Sequence, residues 1–262
     1  MLKKKLIDFS HNAFSQFGED GIIRKIFDII GIEYNRCCEF GAVDGFTLAN
    51  TAYLFTNGME AILIEANIEL YKKLKENTKQ YNCKALNYHV GKNQGEDSLD
   101  YIFDMEKLNK NLDLLSIDVD GNDYYILESL KNFNARVIMC EYNPNIPYFM
   151  DLFGDYNNDF GSSVTALNRI VESKGYFLAC ITDANCIFIQ KKYKWLFEEY
   201  EMDIDKIACN KYLKYVITNY KGDYTIVGDL NKCYGIKNIL NEHINNKSGE
   251  RINQGVSINF NG

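Results

Sequence analysis

No apolar run in this sequence approaches the roughly 18 residues that a membrane span needs, so no transmembrane helix is expected. Positive charge is not in excess: 29 Lys and Arg face 36 Asp and Glu, a formal net charge of −7. Non-specific binding to nucleic acid or to an anionic membrane requires clustered basic residues that displace counterions, and this balance argues against both. Met1 to Lys5 opens like a secretory n-region, but Asp8, Ser10, His11 and Asn12 leave no apolar h-region after it. No C-x-x-C pair occurs among the eight cysteines, and Cys37, Cys38, Cys140, Cys180 and Cys186 lie in or beside apolar runs, where a thiol acts as a small core residue. Buried reduced thiols and a cytoplasmic location are expected. The three histidines, His11, His89 and His243, show no metal-ligand spacing, and the two prolines reflect a compositional bias without functional content.

What is present points to a single α/β unit. At 262 residues, 46% hydrophobic and 25% charged, the chain can bury a full core with a subdomain added. Residues 37–45 read CCEFGAVDG, a short apolar strand ending on Glu39 and breaking into a turn built from Gly41, Ala42, Asp44 and Gly45. A second apolar strand, 60–64, ends on Glu65, which lies 65 − 41 = 24 residues after Gly41. An acid about 20 residues past the first glycine is the usual ribose-hydroxyl partner in nucleotide-binding α/β domains. The G-x-G-x-x-G pattern of a dinucleotide site is missing, with Val43 in the way and Asp44 set against a pyrophosphate, which argues against NAD or FAD. S-adenosylmethionine, cationic at its sulfur and free of phosphate, suits an acidic turn better.

Periodicity predicts a helix from Glu19 to Ile30 stopped by Gly31, a helix over 47–55, a helix capped by Asn67, and a strand over 84–90. A short helix over 98–105, a strand over 112–118, a helix over 124–130 and an apolar strand over 136–141 follow. Alternation of this kind indicates a parallel sheet with helices on both faces. Ser163 caps a helix closed by Gly175, after which strands over 176–182 and 186–190 are joined by a link so short that only an antiparallel hairpin fits. Beyond residue 190 the pattern weakens; Trp195, Phe197, Tyr200, Tyr212, Tyr215 and Tyr220 suggest packed helices, and 245–262 is polar and expected to be loose at its end.

With SQFGED at 15–20, EFGAVDG at 39–45 followed by Asn50-Thr51, LIEAN at 63–67, LLSIDVDGNDYYI at 114–126, EYNPNIP at 141–147 and the helix-hairpin run 161–190, the chain resembles the FkbM-like S-adenosylmethionine-dependent methyltransferases over residues 10–190. The resemblance implies a Rossmann-like methyltransferase fold, a seven-stranded, mostly parallel sheet closed by an antiparallel hairpin strand, with a C-terminal extension. It implies methyl transfer to oxygen on a small polar acceptor, a sugar-containing or phosphorylated precursor of a surface polysaccharide, with S-adenosylhomocysteine as product. It also implies that Gln16, Gly41, Asn50, Thr51 and Asp118 surround the methionine part of the cofactor, that Glu65 takes the ribose hydroxyls, that Asn67 borders the adenine beside Ala66, and that Tyr142 and Asn143 face the acceptor.

Read from the residues alone, the strand-end acids Glu39, Glu65, Asp118 and Glu141 gather on the carboxyl edge of the sheet, where open α/β folds bind ligands. A hydroxyl acceptor must lose a proton, and Asp118, Asp120 and Glu141 are the candidate bases, with Asn143 in the same candidate catalytic set. Asp118 and Asp120 have an alternative role, binding backbone amides of their own turn. Asp118, Glu141 and Asn143 offer the hard oxygen ligands that Mg²⁺ prefers, although a cationic cofactor accounts for the carboxylates as well. Tyr148, Phe149, Phe153, Tyr156 and Phe160 lie in a long connection that is either a lid or a segment packed on the sheet. Three parts are expected: an N-terminal helical cap (1–35), the catalytic domain (36–190), and an extension (191–262) for acceptor binding or homo-oligomerisation. A non-catalytic, cofactor-binding scaffold is the competing class of function.

Overall fold

The computed structural model describes residues 3–228. Seven strands make one sheet: β1 (Arg36–Phe40), β2 (Glu60–Ile64), β3 (Cys83–Leu86), β4 (Asn111–Ile117), β5 (Asn134–Glu141), β6 (Tyr176–Ile181) and β7 (Asn185–Gln190). Their order is β3-β2-β1-β4-β5-β7-β6. The first five pair in parallel, and β7 runs antiparallel to both β5 and β6. This is the Rossmann-like α/β architecture expected from the sequence. The chain winds outward from β1 in one direction and from β4 in the other, so a crevice opens between their carboxyl ends.

Both faces of the sheet are covered, and side-chain alternation sorts the strands into two cores. Cys37, Leu114, Val137 and Met139 join one with Ile22, Ile23 and Ile26 of α1 (Glu19–Ile30), Phe55 of α2 (Ala52–Thr56) and Leu74 of α3 (Ile68–Thr78). Cys38, Leu115 and Ile138 join the other with Phe103 of α4 (Leu99–Met105), Leu127 of α5 (Asp123–Ser129) and Leu167 of α6 (Val164–Ser173). The seven cysteines described are all unbridged, and five of them are buried in these cores.

Local signals mark several boundaries well. Gly31, at φ +70°, donates its amide to the Phe27 carbonyl and stops α1, while Asn67, Ser98 and Ser163 accept backbone amides as the N-caps of α3, α4 and α6. The predicted helix over 47–55 shrinks to α2. Asp44 takes the amides of Phe46 and Thr47, and Glu39 takes those of Asn50 and Thr51, so residues 46–51 are held as a loop by side chains rather than by helical carbonyls. β3 ends at Leu86, short of the predicted residue 90.

Beyond β7 the expected packed helices reduce to a 3₁₀ segment (Lys191–Phe197) and the short α7 (Ile204–Ile207). Trp195 is 68% exposed rather than packed, and Tyr215 lies in a strand. Met1–Leu213 forms one compact unit, which takes in the segments expected as an N-terminal cap and the start of the extension. Lys214–Gly262 forms a second, whose described part contains a two-stranded antiparallel hairpin, β8 (Tyr215–Thr218) and β9 (Tyr224–Val227). The polar stretch 245–262 and His243 lie outside the described residues. Among the described residues no helix is long and apolar enough to cross a membrane.

Candidate functional site

The turn after β1 is tied to the neighbouring strand ends by carboxylates. Gly41 sits at φ +72°, and any side chain there would strike the backbone carbonyl of Asp118, so the tips of β1 and β4 approach as closely as only glycine permits. Glu65, buried at the end of β2, accepts the amides of Val43 at 2.9 Å and Asn67 at 2.7 Å, joining the β1 turn to the start of α3. Asp44 is folded back on its own turn; against a burial effect that acts upward, the amides of Thr47 and Phe46 hold its pKa below the usual carboxylate value.

Glu39 performs the same task from the other side. Its carboxylate, 4% exposed, accepts the amide and hydroxyl of Thr51 and the amide of Asn50, whose side chain reaches the Ser116 hydroxyl at 3.2 Å. Burial pushes its pKa up to about 7, opposed by those hydrogen bonds and reinforced by the charge of Asp118. Glu39, Asn50 and Thr51, expected as separate cofactor contacts, therefore form one hydrogen-bonded unit.

The turn after β4 brings three acids together. Carboxylate oxygens of Asp118, Asp120 and Glu141 lie within 4.8 Å of one another, Asp120 exposed and the other two half-buried. Their juxtaposition follows from strand pairing: Ile117 pairs with Cys140, so the next residues, Asp118 and Glu141, emerge side by side. Burial and the Asp120 charge raise the Asp118 pKa to about 6, opposed by a hydrogen bond from Glu141. The amides of this turn are not held by Asp118 or Asp120. Asp123, buried at the head of α5, accepts from Val119 and Gly121, both at 3.0 Å, and burial followed by the Asp118 charge lifts its pKa to about 7. Asp123, rather than Asp118 or Asp120, thus holds this turn's Val119 and Gly121 amides.

Asn143 is tied into the chain that follows it. Its Oδ1 accepts the Asn145 amide and its Nδ2 donates to the Phe160 carbonyl, so both ends of the amide hold the connection between β5 and α6. Tyr142 is buried and donates its hydroxyl to the Thr182 carbonyl. The long connection is packed at its far end: Phe153 stacks on Tyr124 at 3.9 Å between centroids, Tyr125 donates to the Gly154 carbonyl, and Asn157 exchanges hydrogen bonds with Asn122 of the acidic turn. Phe149 and Phe160 remain 66% and 45% exposed.

Gln16, Ala66 and Asn67 are exposed. Asn67 spends its side-chain oxygen on the α3 cap, and the carbonyls of Glu65 and Ala66 receive the Asn87 amide. Asn87, Asp123, Ser116, Thr182, Asn185 and the pair Glu19-Asp20 were not singled out from sequence, although a helix-opening acid just after a glycine turn is a signal that could have marked Asp123 and Glu19.

Among the described residues, the ionisable groups at these strand ends, Glu39, Glu65, Asp118, Asp120 and Glu141, are acids, and Gly41 lets the backbone of the β4 tip close against the β1 turn. This donor-poor, anionic lining fits a sulfonium and an amino group and would repel a pyrophosphate. The family model of the Methyltransferase FkbM domain matches residues 86–178, the stretch that carries Asp118, Asp120, Glu141 and the aromatic connection. The enzyme is a methyltransferase of the S-adenosylmethionine-dependent class. Among solved structures, this methyltransferase is similar to a SAM-dependent methyltransferase from Aquifex aeolicus, at 13% identity over 63% of this chain and 87% of that one with a TM-score of 0.38. It is also similar to an S-adenosylmethionine-dependent methyltransferase from Clostridium acetobutylicum, at 10% identity over 66% and 90% with a TM-score of 0.43. None of the curated proteins matches the chain.

Proposed function

We propose that the enzyme methylates a hydroxyl oxygen of a small polar acceptor, a sugar-containing precursor of a surface polysaccharide of the capsule type, and that it works in the cytoplasm. The observation that carries this reading is the Asp118–Glu141 pair with Asp120 beside it, at the adjoining ends of β4 and β5, the first of which abuts the Gly41 turn. S-adenosylmethionine, when bound, supplies an electrophilic methyl on a sulfonium. Glu65 and Gly41 shape the nucleoside side of the crevice, and Glu39 fixes the Asn50-Thr51 loop against it. Asp118, which accepts a hydrogen bond from Glu141, would take up the acceptor hydroxyl's proton as that oxygen is methylated. Asn143 acts by holding the aromatic connection, whose exposed rings flank the acceptor. The residues after 190 serve acceptor binding or homo-oligomerisation.

The enzyme reading is tested by S-adenosylhomocysteine release from a panel of hydroxyl-bearing sugars and sugar nucleotides. Release with at least one acceptor is expected; cofactor-dependent thermal stabilisation with no release from any would favour a scaffold.

The three carboxylates support a second reading. A phosphorylated acceptor would meet concentrated negative charge there, and a divalent cation such as Mg²⁺ on Asp118, Asp120 and Glu141 would offset it. A neutral sugar needs no such ion. Exhaustive chelation is therefore expected to leave turnover of a neutral acceptor unchanged, and loss restored by Mg²⁺ would establish the metal-assisted route.

A further inference from the structure

Glu19 is completely buried at the first position of α1, and both of its carboxylate oxygens are engaged. Oε2 accepts the Phe17 amide at 2.7 Å; Oε1 accepts the Thr182 hydroxyl at 2.7 Å and the Asn185 side-chain amide at 3.0 Å. Thr182 and Asn185 bracket the turn between β6 and β7, more than 160 residues away in the chain. Asn185 pairs directly with Glu141 across β5 and β7, so their side chains lie on one face of the sheet. The Thr182 carbonyl also receives the Tyr142 hydroxyl.

The N-terminal side of this contact is equally constrained. Asp20 gathers the amides of Ala13, Phe14 and Ser15 on a single oxygen. Gln16 therefore stands between two pinned amides, Ser15 on Asp20 and Phe17 on Glu19. The charge of Glu19 also acts on Asp118, which places it near the acid cluster.

We propose that Glu19 is a positioning residue that couples the Gln16 segment, on the cofactor side of the crevice, to the hairpin turn that backs Glu141. The proposal rests on the reading of the crevice as an S-adenosylmethionine site. One carboxylate anchors both elements, one oxygen for each. Loosening the hairpin contact frees Glu19 to rotate and releases Phe17, and with it Gln16, without touching either directly.

The test is calorimetric titration of the full chain with S-adenosylhomocysteine, for wild type, Asn185→Ala, Glu19→Gln and the double variant. Asn185→Ala is expected to raise Kd about fivefold, and the double variant to bind no more weakly than the weaker single variant, because both substitutions break the same link. A Kd for Asn185→Ala equal to that of wild type, or strictly additive effects, would overturn the proposal. A purely structural role would lower the denaturation midpoint and leave the Kd of the folded protein unmoved. Should Glu19→Gln not fold, Thr182→Val replaces it: the proposal expects about a fivefold rise there also, and no rise overturns it. Failure of wild type to bind S-adenosylhomocysteine would instead remove the cofactor reading itself.

Discussion

Replacing Asp118 by asparagine is expected to reduce S-adenosylhomocysteine release by about 100-fold or more while leaving the fold at least as stable as wild type. Asparagine keeps the shape and can still accept the hydrogen bond from Glu141, but it cannot take up a proton. The stability expectation follows from the company Asp118 keeps: its charge raises the pKa of both Glu39 and Asp123, which means that the three repel one another in the folded state. Removing it relieves that repulsion, the usual relation between an active-site charge and the fold that carries it. The pH profile gives an independent check. The base must be ionised, its pKa stands at about 6, and so kcat/KM of wild type should be level above that value and fall as pH drops through it. A variant that retained near-normal release, or a wild-type profile flat down to pH 5, would remove Asp118 from the role of base.

The second large effect lies at the opposite edge of the sheet. Arg136, near the start of β5 and 2% exposed, pairs with the fully buried Asp113 at 2.7 Å. It also donates to the carbonyls of Ile30 and Gly31, each at 2.7 Å, and to the Tyr193 hydroxyl at 2.7 Å. The carbonyls at the end of α1 have no helical partner, and Arg136 supplies one. Asp113 in turn accepts the amides of Glu33 and Tyr34. Arg136→Met is expected to cost about 3–5 kcal/mol, because it leaves a buried carboxylate without its cation and two carbonyls without a donor. For a chain of this size that corresponds to a fall of about 10 °C in Tm. The catalytic edge is untouched, so kcat of the protein that remains folded should match wild type. A Tm within about 2 °C of wild type would show that the network adds little to the fold.

The two expectations differ in how far they could be read in advance. Asp118 closes an apolar strand and opens a glycine turn, a pattern that local chemistry explains without a structure. Arg136 merely began an apolar run, and its partners come from α1, β4 and the segment after β7, none near it in sequence. The same contrast separates Asp120 from Asp123. Both sit in one turn, but which of them binds the amides depends on the backbone path around Gly121, and only the folded turn assigns that task to Asp123.

By itself, the amino-acid order determined the alternation of strands and helices, the caps at Asn67 and Ser163, the antiparallel closing hairpin, and the acids at the strand tips, because each depends on periodicity or on groups a few residues apart. Tertiary structure decided what those groups do. It turned 46–51 into a loop by placing Glu39 and Asp44 under its amides, drew Asn143 into the aromatic connection, exposed Trp195, and joined Glu19 to Asn185. Those outcomes depend on which unpaired donors and acceptors meet when distant segments are buried together, and a buried polar group takes whatever partner the packing brings to it.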